Sequence, residues 1–238
     1  MNEFNTTYTR ESSLTFSEYL TKVLGITGLG LGISALCSFI FSRFYYVLLL
    51  RFGQLFLYGS IALVIAELGV AIYFASALLR MEKKTAWICY IVYSVLTGIS
   101  LSSVVMTYAS STIWLAFALT AVLFACMMFI GQNTRVDLSR FSSILSIGLV
   151  VLILATIINV FFFRNEIIVW VLNYSGIVLF LILIAYDTQK LRALYSQSLS
   201  DEDLNEKFMI YGAFQLYLDF INVFLRLLEI LGRNRSKK

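Results

Sequence analysis

The chain has no histidine and no proline among its 238 residues, and only 13% of them carry a charge. Each shortage excludes something. Without histidine the commonest metal ligand and the commonest base near neutral pH are gone, so proton-linked chemistry falls to carboxylates. Without proline a helix bends only at a glycine, an inserted polar side chain or a π-bulge. Soluble domains average about 25% charged residues, and a chain with so few cannot cover its own surface against water. The three cysteines, Cys37, Cys89 and Cys126, lie in different apolar segments with no metal-ligand spacing. They read as small buried hydrophobes. The basic residues fall between apolar stretches and not in one patch, so no nucleic-acid partner is expected.

What is there instead is apolar: 60% of the residues are hydrophobic. Lipid is the solvent such a surface needs, and about 20 apolar residues make a crossing helix. Seven stretches qualify, at roughly 23–44, 56–79, 86–108, 113–131, 143–163, 167–186 and 208–231. The fold class expected is therefore an all-α integral membrane bundle of about seven transmembrane helices. Residues 1–22 read as a polar N-terminal tail without a signal-peptide pattern, 23–232 as the membrane domain and 233–238 as a basic tail. Gly28 and Gly32 suggest a small-residue contact face in the first helix, Arg43 and Arg51 bracket a short link, and residues 187–207 form a polar connection.

Lysine and arginine in short loops set orientation. With the N-terminus in the cytoplasm, that side holds Arg10, Lys22, Arg80, Lys83, Lys84, Arg135, Arg140, Lys190, Arg192 and Lys207, against Arg43, Arg51 and Arg164 opposite. The tail residues Arg233, Arg235, Lys237 and Lys238 disagree if the last segment crosses, and agree if it re-enters. A crossing is the reading adopted. The expected location is a bacterial inner membrane, with a eukaryotic internal membrane as the alternative.

Charges inside apolar segments are costly unless paired or wetted, which makes each a functional candidate. Asp219 stands near the middle of the last segment, with Asn222 one turn on. Asp187 ends the sixth. Facing each other, the two would titrate as a unit and would offer the oxygen ligands that Ca²⁺ prefers. Arg80, at the end of the second segment, is either a topology anchor or a latch that pairs with an aspartate. Glu67, mid-segment, either lines the same cavity or is protonated and hydrogen-bonded. Arg226 and Glu229 are expected to pair locally or to snorkel, and Asn159 and Asn173 to join helices.

Three stretches carry a family resemblance: YSVLTGISLSSV at 93–104, SGIVLFLILIAYDTQKL at 175–191, and GAFQLYLDFINVFLRLLEILG at 212–232, with LYLDFIN at its centre. In these the chain resembles the Bax-inhibitor (transmembrane Bax inhibitor motif) family, and its bacterial members in particular. The resemblance implies two layers of three helices around a central seventh. It also implies a pH-regulated Ca²⁺ leak, with Asp187 and Asp219 as the pH-sensing pair on the ion path and Arg80 as the cation that pairs with the first. A family acidic residue in the second helix matches Glu67 only loosely. Arg226 and Glu229 depart from the family pattern. The function expected is a pH-sensitive cation leak, with Ca²⁺ as transported ion and no tightly bound cofactor. The alternative is a non-transporting membrane regulator that restrains a membrane-bound ATP-dependent protease, docking through the N-terminal tail or through SQSLSDEDLNEK. An enzyme is not expected: AYD resembles one half of an intramembrane aspartyl protease site, but the glycine-flanked second half is missing.

Overall fold

The computed structural model describes residues 15–235, and all seven expected helices are present in it. α1 (Phe16–Phe52) opens with a capping box, in which the Thr15 hydroxyl accepts from the Glu18 N–H and the Glu18 carboxylate accepts from the Thr15 N–H at 2.7 Å. The helix therefore begins well before residue 23, and part of the expected N-terminal tail is helical. Its 37 residues span about 55 Å at 1.5 Å each, far more than a bilayer core. Arg43 and Arg51 lie within it, and the link to α2 (Gln54–Ala77) is Gly53, whose φ of 47° suits a residue without a Cβ.

α3 (Lys83–Thr107), α4 (Ser110–Asn133), a 3₁₀ turn (Leu138–Phe141) and α5 (Ser142–Ile158) follow. With no proline to end it, α5 widens into a π-turn at Asn159–Phe163 and stops at Arg164, which takes a left-handed φ of 49°. Asn159 is no inter-helix joint. Its amide receives the Asn165 N–H at 3.1 Å and closes this turn, while the Asn165 side chain caps the next helix.

α6 (Glu166–Gln197) and α7 (Glu202–Arg235) are longer than the expected apolar segments because both continue past the membrane into the polar connection. That connection is therefore mostly helical. Asp201 caps α7 by accepting the Leu204 N–H at 3.0 Å, and Asn205 donates back to Ser198 at 2.9 Å. α7 is unbroken for 34 residues, so it does not turn back within the membrane. Of the expected basic tail at 233–238, residues 233–235 are the helical end of α7, and 236–238, like Arg10, lie outside the described residues.

The helices form two layers around α7. α1, α2 and α3 pack on one side and α4, α5 and α6 on the other; α7 touches α1, α3, α4 and α6. Most of the span of α7 is buried, whereas α2 is covered mainly at its end, where Phe74 is buried against Phe214 of α7. The layers fit closely where side chains are small. An added Cβ at Gly98 would stand 2.6 Å from the Cys37 Cβ and 2.7 Å from the Ser34 carbonyl oxygen, so α3 can approach α1 only as glycine there. Gly131 does the same for α4 against the Ala185 backbone of α6. Gly28 and Gly32 have nothing near them; the contact stripe of α1 is Thr27, Gly30, Ser34 and Ser38, a register shifted by half a turn. Among the cysteines, Cys37 and Cys89 are half-buried and Cys126 is exposed, contrary to the expectation of full burial.

Candidate functional site: an aspartate pair between the sixth helix and the central seventh

α7 brings Asp219 into the middle of the bundle because its neighbours in sequence are large and apolar. Leu216, Phe220 and Val223 pack the helix into the core and leave the carboxyl almost wholly buried. α6 runs antiparallel to it and delivers Asp187 to the same level. The two side chains share a hydrogen bond and are 6% and 4% exposed, respectively. A hydrogen bond between two carboxyl groups needs a proton between them. Outside the pair, Asp187 Oδ1 and Asp219 Oδ2 have no partner. Such orphaned buried acceptors are uncommon in native proteins and call for a reason.

The surroundings decide between the readings left open for Arg80 and Glu67, and differ from expectation at Lys190 and Asn222. Arg80 is exposed in the turn after α2, where its N–H bonds the Ala77 carbonyl at 2.9 Å, and among the described residues it forms no ion pair. The cation that acts on Asp187 is Lys190, one turn along α6, a residue whose place in the sequence marks it only as a topology signal. Its ammonium donates to Gln215 at 3.2 Å and lies 5.1 Å from the Tyr211 ring centroid, both on α7. Asn222 does not join the pair, since its amide donates to the Leu218 carbonyl of its own helix at 2.8 Å. Glu67 does not share the pair's site either. It accepts from the Ser100 hydroxyl between α2 and α3, on the other side of α7.

Two cavities open elsewhere. One of about 630 Å³ lies among α1, α2 and α3, lined by aromatics and by Ser100, Ser102 and Ser103. Another of about 450 Å³ lies beside Lys22, Trp87 and Glu206. Neither is lined by Asp187 or Asp219, nor by Glu67 or Asn222. Among the described residues there is no group of three or more acidic, cysteine or histidine side chains able to hold a metal. Two carboxyl groups supply at most about four oxygens, short of the six to eight that a resident Ca²⁺ takes.

The arrangement so far defines a class: a multi-pass membrane protein with seven crossing helices and a buried acid pair formed between α6 and the central α7. Comparison narrows it. Residues 16–236 match the family model described as inhibitor of apoptosis-promoting Bax1, and the chain belongs to this Bax-inhibitor family. It is 35% identical over 219 residues to the inner membrane protein YbhL of Escherichia coli K12, covering 91% of this chain and 92% of that one. A Rickettsia prowazekii protein is 35% identical over 235 residues, covering 96% of both. A membrane protein of Streptococcus pyogenes serotype M1 is 30% identical over 227 residues, covering 94% of this chain and 96% of the relative.

Proposed function

We propose that this chain is a pH-sensitive cation leak, with Ca²⁺ the foremost ion, whose gate is the Asp187–Asp219 pair, and that it lies in a bacterial inner membrane with its N-terminus in the cytoplasm. The observation that carries this is the pair itself: two buried carboxyls in contact, one on α6 and one on the central α7, sharing a proton and with no other partner for Asp187 Oδ1 and Asp219 Oδ2. Removing the shared proton sets two negative charges side by side in an apolar site, which cannot persist without a cation or a change of packing. Either response couples protons to ion passage. The α6–α7 seam is the two-state element, closed in the packing described above. Lys190 balances Asp187 in that packing, and Arg80, at the rim, is the latch cation of the other.

The orientation rests on the loop lysines and arginines, and the membrane on the inner-membrane name of the Escherichia coli relative. The second reading is a non-transporting regulator that restrains a membrane-bound ATP-dependent protease. One observation favours it: neither cavity reaches the pair.

Purified protein in liposomes loaded with a Ca²⁺ dye separates the two. Influx is followed from about pH 5 to pH 8, the range in which coupled carboxyls titrate when buried. The leak reading expects pH-dependent influx in wild type, and loss of that dependence in both Asp187→Asn and Asp219→Asn. Influx no greater than in empty liposomes at every pH rejects it and leaves the regulator.

A further inference from the structure

The central helix carries a second charge, half-buried, that the leak reading does not use. Arg226 lies seven residues beyond Asp219. A heptad brings it back to the same face of α7 within about 20° and about 10 Å nearer the face of the bundle where α7 ends. It neither pairs with Glu229 nor snorkels, as its sequence context suggested. Its Nη1 donates to Asn173 Oδ1 of α6 at 3.1 Å, and Asn173 is only 1% exposed. The arginine stem fills a notch over Gly176, where an added Cβ would stand 3.1 Å from Nε. Glu229 is close enough to act on Arg226 electrostatically, but its carboxylate pairs with Arg233 at 3.2 Å. Arg226 itself forms no ion pair among the described residues. The Asn173 Nδ2 is also without an acceptor, so donors outnumber acceptors at this spot.

Between the aspartate pair and Arg226 the α6–α7 seam is apolar, with Phe180, Ile184, Phe220, Val223 and Phe224 all in one buried cluster. A cation leaving the pair toward that end of α7 crosses this dry stretch and then meets a fixed positive charge. Nothing there replaces its water. We propose that Arg226, held by Asn173 in the notch over Gly176, is the element that sets charge selectivity on this leg of the path, opposing divalent cations more than monovalent ones. The inference rests on the leak reading and assigns that path a brake. A fixed charge acts on Ca²⁺ with twice the energy it exerts on K⁺, so its removal relieves Ca²⁺ more.

The test compares Ca²⁺ and K⁺ flux in liposomes for wild type, Arg226→Gln and Arg226→Lys. The expected result is a rise in Ca²⁺ flux of about tenfold in Arg226→Gln, a smaller rise for K⁺, and wild-type behaviour in Arg226→Lys, which keeps the charge. Should Arg226→Gln not give folded protein, Arg226→Met fills the notch with an uncharged stem and carries the same expectation. A conducting wild type with an unchanged Ca²⁺/K⁺ ratio in the neutral variants overturns the brake and leaves the leak standing. So does a rise in Arg226→Lys equal to that in Arg226→Gln, which would make the role one of packing. Absence of flux in wild type and in every variant rejects the leak itself, and the brake with it.

Discussion

α7 has two buried faces, and they solve the same problem differently. Toward α4 and α6 it presents Asp219, whose partner is another acid. Toward α1 and α3 it presents Tyr217, whose hydroxyl lies 2.6 Å from the Ser34 hydroxyl; Ser34 in turn donates to the Ser94 carbonyl at 2.7 Å. Nearby, Tyr90 donates to the Ile26 carbonyl at 2.8 Å. Both faces put polar groups where there is no water. The hydroxyl face meets its needs with neutral groups that keep their protons at any physiological pH, so it is glue. The carboxyl face cannot be satisfied in one protonation state without strain in another, so it is the side able to respond.

The largest expected effect comes from exchanging the two behaviours. Asp219→Asn replaces the responsive group with a neutral one and should flatten the pH profile of Ca²⁺ flux altogether. Tyr217→Phe should leave that profile intact; a flattened profile there would mean that the hydroxyl face also senses protons. Next in size, Gly98→Ala should lower stability by about 1–3 kcal/mol through overpacking, because the new methyl meets the Ser34 carbonyl on a backbone that cannot retreat. Thermal unfolding in detergent reads this, and an unchanged midpoint would show that α1 and α3 are not tightly bound. Tyr217→Phe should cost about 0.6 kcal/mol, the average for a hydrogen bond between membrane helices, by the same measurement.

The smallest effect isolates the acidic face by elimination. Asp137, in the loop before α5, is exposed, and hydrogen bonds from the Ser139 hydroxyl and N–H hold its carboxyl below the ordinary value. A lowered folded value gives stability that is complete above the unfolded value of about 3.9 and is lost only as pH falls through the folded one. Asp137 is thus fully ionised throughout the range from about pH 5 to pH 8. Asp137→Asn should leave the flux profile unchanged over that range, and a shifted profile would place part of the response outside the bundle.

Much of this architecture is legible in the amino-acid sequence. Each apolar stretch is a helix, because in lipid a backbone with no water to bond must satisfy itself. Asp187 and Asp219 stand out because each lies in, or closes, an apolar segment where lipid penalises charge. Direction is not legible in the same way. Glu67 looks in sequence like a companion of the pair, yet α2 turns it to Ser100 across the bundle. Gly28 and Gly32 have the right spacing, but the stripe that meets α3 is set off from them by two residues. Arg80 looks like the pair's cation, and Lys190 holds that place. A spacing rule fixes which residues share a face and says nothing of which neighbour that face meets.

The sequence by itself determined that the chain lives in a membrane, how many times it crosses and which two acids lipid would not tolerate alone, since each follows from the transfer cost of single groups. The tertiary structure decided that the least apolar helix stands at the centre, that the two acids meet there, and that Arg226 faces Asn173 across a gap left by Gly176. These depend on the packing of residues distant in the chain, where a shift of half a turn changes every partner.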